Sequence, residues 1–151
     1  MRPSCLIVAF AVVVSLPAAP EASVPAVEHG VDAGVVRPLE SIRFEQDEDV
    51  KCLVSALETG DAAQGPSTYI LKAPPGCIVP WHFHTAQEQA IVIHGQVKME
   101  MEGHPPATLG NGGFAMMPGK VPHQFSCVSQ EPCVLIVAFD ARYDISWGKK
   151  N

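Results

Sequence analysis

Two histidines two residues apart, His82 and His84, are followed four residues later by Glu88, in the segment Gly76-Cys-Ile-Val-Pro-Trp-His82-Phe-His84-Thr-Ala-Gln-Glu88-Gln-Ala-Ile-Val-Ile-His94-Gly95. On a β-strand, residues i and i+2 project from one face about 7 Å apart along the chain, so both imidazoles can turn toward a single ion. The polar break Thr-Ala-Gln separates them from Glu88, which opens the next apolar run, so a hairpin brings its carboxylate back beside the rings. A third imidazole is offered by His123, just after Pro118-Gly-Lys-Val-Pro122, where prolines fix the backbone. Three neutral imidazoles and one carboxylate suit one divalent Fe, Mn, Ni, Cu, Zn or Co ion and do not suit Mg or Ca. Unpartnered polar groups on a core-facing strand would cost about 1–3 kcal/mol each, a cost that a metal removes.

The elements that must position these groups read as short strands. They are expected at Val50 to Leu57, Ser67 to Lys72, Ile78 to His84, Gln89 to His94, Val97 to Met101, Phe114 to Met117, His123 to Val128 and Cys133 to Phe139, with turn residues between nearly all of them. Val97, Met99 and Met101 alternate with Lys98, Glu100 and Glu102, the pattern of a half-buried antiparallel strand. Convincing 3.6-residue periodicity is absent from the chain after its first residues, and 12 Gly and 14 Pro are spread along it. The expected fold is all-β: about eight antiparallel strands in a jelly roll or conical barrel. By the same alternation Trp81 and Phe83 face away from the ligands, into sheet packing or a dimer contact. Gln87, Gln89 and Gln124 are candidates to orient the ligand rings or to make polar contacts with a substrate, and His94 is expected as a strand-end residue. His29 and His104 are expected in solvent. Met99, Met101, Met116 and Met117 read as core or pocket lining rather than a copper site. The acidic run Glu45 to Asp49 reads as a solvated loop.

With 151 residues and 16.1 kDa the chain holds one domain of ordinary size. At 47% hydrophobic and 17% charged it can build a core, and a net charge of −6 with no basic stripe argues against nucleic acid as a partner. Arg2 followed by the apolar block Cys5 to Leu16 has the size of a secretory signal and is too short to span a bilayer comfortably. The expected organisation is a signal at 1–26 with cleavage between 18 and 26, a lead-in at 27–44, one domain at 45–147 and a tail at 148–151. Export to a periplasm or the exterior follows, with no membrane span after cleavage. In such a compartment Cys52, Cys77, Cys127 and Cys133 can form disulfides. Cys127 and Cys133 flank a turn and can bridge it, although three pairings, and four buried thiols, remain open.

The segment Gly76 to Gly95 resembles the first signature motif of the cupins, with Gly76, His82, His84, Glu88 and Gly95 at its defining positions. Gly112 to His123 resembles the second, with two departures: Lys120 stands where a glycine is expected, and Cys127 where an Asn is usual. The resemblance implies a cupin jelly roll, metal ligands His82, His84, Glu88 and His123, and a homodimer. The flanks Gly60-Asp61 and Tyr143-Asp-Ile-Ser146 resemble small exported bacterial cupins of unassigned function. Two functions fit. As an enzyme of dioxygenase, isomerase or lyase type, the protein would act on a small molecule at an open coordination position, with Glu88 as ligand and base. As a binding module, it would hold a small molecule or the metal without turnover. An open coordination position is costly to keep as mere structure and favours the enzyme.

Overall fold

The structure, a computed structural model, describes residues 34–149. The proposed signal, its cleavage region and His29 lie outside the described residues. A short 3-10 turn at Leu39–Ser41 precedes eleven strands: β1 (Glu45–Gln46), β2 (Val54–Gly60), β3 (Ser67–Ala73), β4 (Ile78–Phe83), β5 (Glu88–His94), β6 (Val97–Met101), β7 (Ala107–Leu109), β8 (Phe114–Met117), β9 (His123–Cys127), β10 (Cys133–Phe139) and β11 (Ser146–Trp147). They form a six-stranded sheet, in the order β1-β2-β3-β10-β5-β8, and a five-stranded sheet, in the order β11-β4-β9-β6-β7. Every pairing is antiparallel. The arrangement is the expected jelly roll.

Eight of the eleven strands coincide with expected ones, and the reason is visible in their burial. On β5, Glu88, Ala90 and Val92 are buried while Gln89, Ile91 and Ile93 are exposed, the period of two that one inner face imposes. The inner faces share a core in which Val92, Leu135 and Val137 of one sheet meet Val79, Val97 and Phe125 of the other. Met99 and Met101 pack against it, as their alternation requires. The three additional strands are two or three residues long and lie at or next to sheet edges.

Both disulfides form. Cys127–Cys133 closes the β9–β10 turn, and Cys52–Cys77 joins the segment before β2 to the start of β4. Cys127 therefore stands as a half-cystine where the cupin pattern has a polar Asn. The missing glycine at Lys120 is answered by geometry: Lys120 itself takes φ 66°, the left-handed conformation a glycine would supply, and its N–H donates to the His84 carbonyl at 2.6 Å. At the neighbouring Gly119 a side chain is excluded, since a Cβ there would come within 2.4 Å of the Thr85 carbonyl oxygen. The loop ahead of His123 thus lies directly against the His84–Thr85 backbone.

Candidate metal centre

Three pieces of chain converge on one point. His82 lies on β4 and His84 just past its end, Glu88 begins β5, and His123 begins β9. His82 and His123 are cross-strand partners, which places their rings 4.3 Å apart between centroids. All four groups are buried, from 3% exposed at His123 to 8% at Glu88, and one ligating atom from each lies within 4.8 Å of the others. The four residues singled out for metal binding are thus brought together inside the fold.

Each ring is held by the main chain. Nδ1 of His82 pairs with the Pro80 carbonyl at 2.6 Å, Nδ1 of His123 with the Val121 carbonyl at 2.9 Å, and Nδ1 of His84 with the Asp144 carbonyl. A carbonyl only accepts, so each Nδ1 carries a proton, and in the neutral ring each Nε2 keeps a lone pair. Nε2 of His123 and of His84 lie 3.0 and 3.2 Å from the same Glu88 oxygen, Oε2. Ligands about 2.1 Å from a shared ion and at right angles to one another are about 3 Å apart, so these spacings fit a common divalent transition metal. The cluster is therefore able to bind one.

Asp144 holds His84 twice over. Beyond its carbonyl, its carboxylate accepts from the Thr85 N–H at 2.7 Å and the Thr85 hydroxyl at 2.6 Å, and these bonds hold the Asp144 carboxyl below its usual range. The glutamines do not orient the ligands. Gln124 donates to Glu100 at 2.6 Å and Gln89 points outward, while the backbone N–H of Gln87 is bound to Asp140. Peptide carbonyls fill that role instead. Trp81 and Phe83 do turn away from the ligands, and Lys149 lies over the Trp81 ring at 3.7 Å. His94 and His104 are exposed.

The electrostatics are those of a site prepared for a cation. Burial, reinforced by neighbouring His123, pushes His82 down to about 4, so its ring is neutral near neutral pH. Burial opposes ionisation of Glu88, but hydrogen bonds that His123 and His84 donate from Nε2 when their rings are protonated in the metal-free site prevail and hold its carboxyl down to about 2. Burial also lowers His84, yet its hydrogen bond to Glu88, with Asp144 behind it, raises it on balance.

The cluster opens onto a cavity of about 860 Å³. Phe139, Tyr69 and Tyr143 form an aromatic wall beside His84, whose ring lies 4.9 Å from Phe139 and 5.4 Å from Tyr143. Residues Glu45 to Val50 form another wall, together with Leu53. The acidic run read as a solvated loop is thus partly strand β1 and partly cavity lining. It is compact: Asp47 accepts from the Asp49 and Val50 N–H groups, Gln46 donates to the Leu53 carbonyl at 2.7 Å, and Val50 and Leu53 are buried. The Tyr143 hydroxyl donates to Asp49 at 3.4 Å, and burial followed by Asp49 and Asp47 raises its pKa, keeping the phenol protonated.

Residues 69–139 match the family model of a cupin domain. Over 62 residues the chain is 36% identical to dimethylsulfoniopropionate lyase DddQ of Ruegeria pomeroyi, a match covering 41% of this chain and 31% of that protein. The crystal structure of the DMSP lyase DddQ from Ruegeria pomeroyi is similar with TM-score 0.58 at 23% identity, covering 78% of this chain and 61% of that one. The polyketide cyclase RemF from Streptomyces resistomycificus is similar with TM-score 0.66 at 17% identity, covering 79% and 88%. These structural likenesses establish the fold.

Proposed function

Because this chain belongs to the cupin superfamily, we propose that it is a metal-dependent enzyme of lyase type acting on a small molecule. The observation that carries the reading is the buried His82, His84, Glu88 and His123 cluster at the floor of a cavity of about 860 Å³, roomy enough for a small substrate. The match to a DMSP lyase supports the choice of elimination over oxygenation or isomerisation. The same proposal places the protein outside the cytosol, for which the apolar block behind Arg2 is the support.

A divalent transition metal held by these four side chains would supply Lewis-acid polarisation of a substrate oxygen. The chain's own residues do the rest. The carbonyls of Pro80, Val121 and Asp144 hold the Nδ1 protons, so that in the neutral rings the lone pairs lie on the three Nε2 atoms. Glu88 stays ionised, and its Oε1, which makes no hydrogen bond among the described residues, is the atom available to take a substrate proton. Tyr143 and Phe139 cover the His84 ring and limit water there.

The test is a purified protein whose bound metal is measured by mass spectrometry. It is then assayed for release of dimethyl sulfide from dimethylsulfoniopropionate and for O₂ consumption over phenolics, diketones and sugars. Turnover that disappears in Glu88→Gln while the metal stays bound supports an enzyme. Turnover unchanged in that variant overturns the role of Glu88. Ligand-induced thermal stabilisation with no turnover of any substrate identifies a binding cupin instead.

A further inference from the structure

The cavity that begins at the metal cluster continues well past it between the two sheets. On the six-stranded sheet Phe139 stands opposite Glu88, and two residues along β10 Val137 stands opposite Tyr69, which in turn stands opposite Leu57 on β2. On the five-stranded sheet His82 stands opposite His123, and the neighbouring row is Val79 opposite Phe125 and Phe125 opposite Met99. Both apolar rows line the cavity. Residues two apart on a strand are separated by about 7 Å, so these rows start one layer of side chains from the ligands. Val137, Val79 and Phe125 are 2%, 4% and 8% exposed, whereas Leu57 is 38% exposed, so the slot is closed beside the cluster and opens at β2. Apart from Glu88, every charged residue of the lining belongs to residues 37–49, and all of these but Asp47 are exposed.

We propose that the substrate carries a carbonyl or carboxylate end for the cluster and an apolar body of about eight to ten carbons that lies between these two rows. The proposal rests on the metal-dependent reading above and narrows its substrate. Length sets the size of the body. From Glu88 on β5 across β10 and β3 to Leu57 on β2 is three strand spacings, on the order of 14 Å, which an extended chain of about ten carbons spans. Volume agrees: about 860 Å³ lies in the upper part of the range of about 300–1,000 Å³ that encloses drug-sized ligands. A compact molecule of a few atoms at the cluster would leave both rows facing water. Covering them removes apolar surface from water, a gain of up to about fourfold in affinity for each buried methylene. The rim limits the far end of the molecule. Glu45, Asp47, Glu48 and Asp49 there outnumber Arg43 and an Arg37 already paired with Glu58, so the open end repels a second anionic group.

The experiment is isothermal titration calorimetry of the zinc-loaded full chain with straight-chain alkyl hydroxamates of two to twelve carbons. The chelating head reports the metal and the tail reports the slot. Affinity should rise about threefold per methylene up to about eight carbons, several hundred-fold over acetohydroxamate, and level off beyond about ten. Leu57→Trp, which narrows the open end, should weaken the eight-carbon probe about tenfold or more, while acetohydroxamate, too short to reach β2, binds as it does to the wild type. Leu71→Phe, on the same inner face, gives the same reading should the first variant fail to fold, and Ile91→Thr on the outer face should change neither probe. A flat chain-length series from a protein that binds acetohydroxamate overturns the proposal and leaves the metal reading standing. So does a chain-length gain that survives in the folded Leu57 and Leu71 variants. Zinc that is not retained, or no binding of any hydroxamate, overturns the metal reading and this proposal with it.

Discussion

Replacing Cys52 and Cys77 together by alanine should separate the stability of the fold from the integrity of the metal cluster. The bridge spans 25 residues of sequence, and closing a loop of that length removes about 3.5 kcal/mol of chain entropy from the unfolded state. For a domain of this size that is a fall in melting temperature of about 10–15 °C. It is a large part of the 5–15 kcal/mol a domain has, yet not enough to unfold it at room temperature. The four ligating residues sit on or beside β4, β5 and β9, whose pairings do not include Cys52. Metal content should therefore be unchanged. Hydrogen exchange should quicken in residues 45–53, which the bridge ties to β4, and stay slow at the β9–β10 turn, where Cys127–Cys133 remains. Chemical denaturation, metal analysis and exchange mass spectrometry read all three. A loss below about 1 kcal/mol, or metal released by the variant, would refute the reasoning.

Other expectations follow from the same geometry. His82→Ala and His84→Ala should each abolish stoichiometric metal binding and lower the melting temperature, whereas His104→Ala, at an exposed site, should do neither; metal analysis and calorimetry decide. Asp144→Ala, which frees Thr85 and loosens the carbonyl that holds His84, should weaken metal affinity on the order of 10-fold in a competition titration. In metal-free protein His82 and Glu88 both have folded pKa values below their ordinary ones, so each contributes stability at high pH that is lost on acidification. The losses run from about 6.5 toward 4 for His82 and from about 4.5 toward 2 for Glu88. His84, raised, works in the opposite sense above 6.5. Thermal melts of chelator-treated protein should fall steadily below pH 6.5, and His82→Ala should flatten the upper part of that fall. Lys120→Gly, relieving a left-handed lysine, should stabilise by about 0.5–1 kcal/mol in a denaturant titration.

Much of the architecture is legible without coordinates because one-sided burial writes itself into alternation, as on β6, and because proline and glycine mark the turns. The ligand set is legible for a related reason: His82, His84 and Glu88 are close in sequence, and their spacing matches a strand and a hairpin. What stays hidden is non-local. Cys52 meets Cys77 only because the segment before β2 folds back to β4, a proximity no spacing encodes. Asp144, 60 residues from His84, meets it through the chain that leads into β11. Tyr143 reaches the aromatic wall by the same route, and the only trace of either in the sequence is the flanking stretch Tyr143 to Ser146. The acidic run is solvated as its composition indicates, with Glu45, Gln46, Glu48 and Asp49 exposed, but composition does not show that the buried Val50 and Leu53 beside it draw it along the rim of the cavity.

The Nδ1 atoms of the three rings rest on peptide oxygens rather than on side chains, and this bears on how such a protein tolerates change. A side-chain partner disappears with one codon, but the carbonyls at Pro80, Val121 and Asp144 persist under nearly any substitution that spares the backbone path. The choice of tautomer is thus buffered against genetic drift, and the walls around it are free to diversify.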